Sequence, residues 1–124
     1  MSWTEPTTAK ADVLIEVLFE RYRQDEQWGE QNHPDGTGWG NLPALAEAAR
    51  QRCKKAAAEG KVTWFHILDE EVREAFAERD PVRLREELVQ VAAVAAAWVE
   101  AIDRRTGAEH RPDGPTDRRS RGAL

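Results

Sequence analysis

The chain has little of what marks a secreted, membrane-bound or nucleic-acid-binding protein. A single cysteine, Cys53, in 124 residues excludes an internal disulfide and fits a protein of the reducing cytoplasm. No partner thiol lies nearby, so Cys53 reads as an inert side chain. No apolar run approaches the length of a membrane span, and the first residues carry no basic-then-apolar signal; no membrane attachment is expected. His33 and His66 lack the spacing of a zinc site, and Gly36-Thr37-Gly38 lacks the Gly-Lys-Ser/Thr ending of a phosphate-binding loop. Positive charge is scarce over most of the chain. The net charge is −5, but residues 104–124 hold six Arg against Glu109, Asp113 and Asp117, a balance of +3 that leaves −8 for the rest. So acidic a body is a poor platform for nucleic acid, whose phosphates need cationic neutralisation. It suits a divalent cation that bridges to a phosphate.

Strand-like alternation appears nowhere, and what is present is helix: the expected fold class is all-α. Residues 1–7 read as a flexible leader, 8–106 as one all-α domain, and 107–124 as a disordered Arg-rich tail. Val13, Leu14, Val17, Leu18 and Tyr22 recur at helical spacing within a first helix over about 8–28. Gly29 stops it, and the run through Gly38 is a loop long enough to be functional. Asn41 and Pro43 open a second helix over 42–59, which Gly60 ends; Thr63 caps a third over 64–78; Asp80-Pro81 starts a fourth over 81–105. Residues 91–98 of that fourth helix are apolar nearly all round. A helix without a polar face is buried on most sides, so the core is expected to be completed by oligomerisation, in the first place as a symmetric dimer. The alternative is a monomer whose second helix covers the remainder.

Two acidic segments intrude on the apolar faces of the third and fourth helices. At about 100° per residue, Glu74 and Glu78 lie within roughly 60° of Glu71, and so do Ile67, Leu68 and Ala75. Around Glu87 the neighbours in angle are Leu84, Val91, Val94 and Trp98, with Gln90 one turn on, at the position equivalent to Glu74. A carboxylate drawn into a core is protonated, paired or bound to a metal. Carboxylates converging from neighbouring helices repel one another unless a cation sits between them, and Mg²⁺ suits hard oxygen donors inside a bundle. The competing reading is a solvated acidic face on which Glu71, Glu74 and Glu78 pair with Arg73 and nearby bases.

Glu71-x-x-Glu74 on one helix and Glu87-x-x-Gln90 on the next resemble the motifs of the MazG-like all-α nucleoside triphosphate pyrophosphohydrolases, where they read ExxE and ExxD and all four residues bind Mg²⁺. Upstream, Glu20-Arg21-Tyr22-Arg23-Gln24 with Trp28-Gly29-x-Gln31 resembles that family's first-helix segment, and the likeness spans roughly residues 12–103. The resemblance implies a four-helix MazG-like bundle, a homodimer or homotetramer, and hydrolysis of a nucleoside triphosphate to monophosphate and pyrophosphate. It also implies catalytic and metal-binding roles for Glu71, Glu74 and Glu87, with Gln90 as the remaining ligand and Mg²⁺, or Mn²⁺ in its place, as cofactor. Gln90 departs from the family's Asp: its side-chain oxygen can coordinate but brings no charge. The alternative is therefore a catalytically weak or inactive relative that binds a nucleotide or a protein.

For substrate binding, the upstream segment nominates Gln24, Trp28 and Gln31. Trp28 and Trp64, beside helix ends, either stack on a base or pack in the core, whereas Trp98 reads as core. Trp39 either closes over a ligand or anchors its glycine-rich loop. Arg50, Lys54 and Lys55 form a cationic patch on the second helix that meets phosphates or is simply solvated; Lys54 is taken as the substrate-binding member. His66 reads as a helix-surface residue.

Overall fold

The computed structural model describes residues 5–107, and within them the chain forms four helices and no strand. These are α1 (Glu5–Trp28), α2 (Leu42–Ala58), α3 (Trp64–Ala77) and α4 (Pro81–Thr106). The helix α1 begins three residues ahead of the expected Thr8, so residues 5–7 of the expected leader are helical; residues 1–4 and the Arg-rich segment from 108 onward lie outside the described residues. No described helix is long and apolar enough to cross a membrane.

Helix ends follow the local chemistry. Gly29 adopts a left-handed φ of 69° and donates to the Asp25 carbonyl at 2.8 Å, which satisfies an end carbonyl of α1. The helix α2 closes with Gly60, φ 70°, donating to Ala57 and Lys61 donating to Ala56, the paired bonds of a Schellman ending. At α3, the Thr63 hydroxyl accepts from the His66 amide while the Thr63 amide donates to His66 Nδ1 at 3.1 Å. His66 thus does the work usually given to Glu or Gln in a capping box, a role beyond that of a plain surface residue. The Asp80 carboxylate accepts from the Arg83 amide at 3.1 Å and caps α4 as expected, whereas the Asn41 side chain makes no cap bond.

Among the described residues the chain divides into two compact units, one combining residues 5–33 with 99–107, the other running from Pro34 to Trp98. In the first, α1 buries Val13, while Leu14, Val17, Leu18 and Tyr22 of the same apolar stripe stay exposed, as do Val99 and Ile102 on α4. Lys10 and Glu100 pair there at 3.8 Å.

In the second unit α2 packs against α3. Its buried side chains are small: Ala46, Ala49 and Ala56 on α2 and Ala75 on α3, with Leu84 on α4 as the one large exception. Small side chains let helix backbones approach closely. Trp98 is half-buried and stacks on Trp64 with ring centroids 6.3 Å apart. The glycine-rich loop folds back on the end of α3: the Gly38 amide donates to the Phe76 carbonyl at 2.8 Å, and the Thr37 hydroxyl donates to the Glu78 carbonyl. Arg79 donates to the Gly38 carbonyl at 3.1 Å and lays its guanidinium 3.7 Å from the centre of the Trp39 ring. Gly38 has a φ of 82°, and a Cβ there would collide with the Arg79 side chain, so glycine is required twice over. The loop thereby serves as a C-terminal cap for α3, and of the two roles expected for Trp39 its contacts are those of an anchor.

Candidate metal centre

The side chains of Glu71 and Glu74 on α3 and Glu87 on α4 converge. Each offers a carboxylate oxygen, these oxygens all lie within 4.8 Å of one another, and all three residues are half-buried. Helical spacing puts Glu71 and Glu74 on one side of α3, and α4 presents Glu87 one turn beyond the buried Leu84. Beside them opens a cavity of about 360 Å³ lined by Pro43, Ala46, Arg50, Glu74, Ala77, Glu78 and Glu87.

Charge balance is the unusual property of this cluster. Arg73, the residue that would neutralise a solvated acidic face, pairs with Asp69 at 3.4 Å, and Arg52 reaches Asp69 as well at 3.0 Å. Among the described residues neither Glu71 nor Glu87 forms a salt bridge, and Glu74 has one basic partner, Arg50 Nη2 at 3.4 Å. Three carboxylates share one guanidinium. Burial pushes the Glu71 carboxyl above the ordinary range, and repulsion from Glu87 and Glu70 adds to it. Burial also raises Glu74, helped by Glu70, Glu71 and Glu87.

These shifts fix the sign of a pH effect. A carboxyl whose folded pKa is raised ionises first in the unfolded chain, so stability falls as pH climbs from the unfolded value, about 4.3, through the native one. Without divalent cations, the wild type should therefore lose stability relative to Glu71→Gln as pH rises from about 4 to 7. Thermal unfolding of both proteins across that range checks this; parallel curves would show that Glu71 feels no crowding.

The donor set fits a small hard cation. All three candidate donor atoms are carboxylate oxygens borne on helices, and the adjoining cavity has room for the waters or phosphate oxygens that a Mg²⁺ ion would keep in its shell. Gln90 is exposed and does not line the cavity. Neither Lys54, exposed on α2, nor Trp64, engaged with Trp98, lines it either. In the other unit, Gln24 accepts from Arg21 at 2.9 Å, Gln31 bonds His33 at 3.0 Å, and Trp28 is 64% exposed.

Two residues around the cluster were not distinguished by their sequence neighbourhood. Arg50 follows the buried Ala49, stands one turn after the buried Ala46 and pairs with Glu74 of α3, whereas Lys54, one turn on along the same side of α2, and Lys55 are exposed. Cys53, one turn further, is half-buried; burial and the nearby Glu70 carboxylate push its thiol pKa up. A raised pKa keeps a thiol in its protonated, less nucleophilic form at neutral pH. The chain matches no protein-family model, no curated protein and no solved structure.

Proposed function

We propose that this chain is a Mg²⁺-dependent nucleoside triphosphate pyrophosphohydrolase, and the observation that carries the reading is the convergence of Glu71, Glu74 and Glu87 beside an open cavity. The motif resemblance supplies the reaction class. When bound, Mg²⁺ would neutralise phosphate oxygens and favour ionisation of an attacking water. Glu71 and Glu74 on one helix and Glu87 on the next would hold it, and their fixed helical placement keeps the donors oriented without rearrangement. An acidic protein can in this way accept a polyanion, because the cation carries the attraction. A homodimer or homotetramer is part of the same proposal, supported by the exposed apolar side chains of α1 and by Leu88 and Val89 on α4. So is a cytoplasmic location, in keeping with the lone thiol.

Incubation with each common nucleoside triphosphate and Mg²⁺ or Mn²⁺ is expected to release pyrophosphate and nucleoside monophosphate in equal amounts for at least one of them. Release of orthophosphate alone would contradict the reaction class. One observation favours a second reading, a nucleotide-binding relative with little turnover: Gln90 is exposed and uncharged where the family carries its fourth carboxylate. Under that reading the wild type is stabilised by Mg²⁺ with a nucleotide but turns nothing over, and Gln90→Asp gains activity.

A further inference from the structure

We propose that Arg50 is the resident counter-ion of the carboxylate site, holding Glu74 until a divalent cation takes that carboxylate and then turning to the phosphates of the ligand. The inference rests on the cation reading above. Arg50 belongs to α2 and the carboxylates to α3 and α4, so the guanidinium crosses from a third helix to reach Glu74. Its backbone is held by the packed alanine face of α2, and its side chain lines the cavity together with Glu74 and Glu87.

Exchange of partners is easy for this guanidinium. It also pairs with Glu47 on its own helix, so releasing Glu74 does not leave a charge without a partner, the costly outcome in a half-buried site. The charge count favours the exchange. Glu71, Glu74, Glu87 and Arg50 sum to −2, which a divalent cation offsets, while Glu78 in the lining and Glu47 keep a negative charge near Arg50 at the wall. A phosphate chain entering the cavity then meets the Arg50 Nη2 edge released from Glu74, whose donors suit phosphate oxygens while Nη1 stays with Glu47. Lys54 and Lys55 are exposed and outside the lining, which leaves Arg50 as the basic residue of this cavity.

The sign of the effect separates this role from plain helix packing. Calorimetric titration with Mn²⁺ alone, and with inorganic tripolyphosphate in the presence of Mg²⁺, would be run on the wild type, Arg50→Gln and Arg50→Lys, with circular dichroism confirming helicity. Arg50→Gln should bind Mn²⁺ about tenfold more tightly, equivalent to ~1.4 kcal/mol, and tripolyphosphate about tenfold more weakly. Arg50→Lys, which keeps the charge but not the fork, should return Mn²⁺ binding to near the wild-type value and restore tripolyphosphate binding only in part. A packing role predicts that both ligands weaken in Arg50→Gln. If the wild type binds Mn²⁺ and Arg50→Gln binds it no better, the counter-ion role is wrong while the cation site stands. Unchanged tripolyphosphate binding would overturn the phosphate contact. No Mn²⁺ binding by the wild type would remove the site itself and this inference with it.

Discussion

Glu71→Gln should weaken Mn²⁺ binding at least about a hundredfold, ~2.7 kcal/mol, and abolish nucleotide turnover, yet leave the cation-free protein no less stable at neutral pH. The substitution keeps shape and one oxygen donor and removes a charge. A unit pair about 4 Å apart is worth ~4 kcal/mol at an effective dielectric of 20, and a divalent ion roughly doubles it; the desolvation that carboxylate binding entails offsets part. The stability half follows from the surroundings. Glu71 has no salt bridge among the described residues, its ionised form is opposed by burial and by Glu87 and Glu70, and Gln relieves that repulsion. Loss of cation affinity with no loss of fold is the signature of a ligand. A packing residue gives the opposite pair. Calorimetric Mn²⁺ titration, pyrophosphate release and thermal unfolding of the same preparation supply the three readouts, and undiminished Mn²⁺ binding or turnover would sink the proposed centre.

The largest stability effect is expected at Leu84. Of the buried side chains described between Pro34 and Trp98 the others are all alanine, so Leu84, 6% exposed, is the one whose removal opens a sizeable void. Leu84→Ala should cost about 3 kcal/mol, from lost transfer free energy and the residual cavity together. For a domain of this size that lowers Tm by more than about 10 °C. Val82, two residues earlier on α4 and 67% exposed, supplies the control: Val82→Ala should stay within about 0.5 kcal/mol. The effect also reaches the site. Glu87 stands one turn after Leu84, so a loosened first segment of α4 weakens Mn²⁺ binding even where most molecules remain folded. Equal Tm values for Leu84→Ala and Val82→Ala would show that burial in the unit is not concentrated at this side chain.

The four helices were legible because their ends are written in local chemistry. Gly29, Gly60, Thr63 and Asp80-Pro81 each act within a few residues, and observed ends differ from expected ones by three residues at the start of α1 and by one at the ends of α2, α3 and α4. The approach of Glu71, Glu74 and Glu87 was legible for a related reason: helical angle fixes which side of α3 or α4 a residue occupies, and all three shared a side with apolar neighbours. What lies opposite that side is not a local property. Arg50 looked like a member of a solvated patch with Lys54 and Lys55, and only packing of α2 on α3 reveals that it meets Glu74. The return of Thr37 and Gly38 to the end of α3 links residues 41 positions apart in the Thr37–Glu78 and Gly38–Arg79 bonds, beyond any periodicity. The stripe of Val13, Leu14, Val17 and Leu18 shows the same limit, since spacing names a face but only Val13 of the four is covered within the chain.

Cys53 gives the protein a built-in chemical handle. It is the only sulfhydryl in the sequence, the Glu70 carboxylate acts on it, and Glu70 adjoins Glu71 along the chain while acting electrostatically on both Glu71 and Glu74. A fluorine or spin label attached there is single-site without mutagenesis. Glu70 links it electrostatically to the candidate donors, of which it is not itself one. The raised thiol pKa makes such labelling slow at neutral pH and faster in mild base. A side chain with no part in the proposed chemistry thus becomes the most direct means of watching that chemistry's charges.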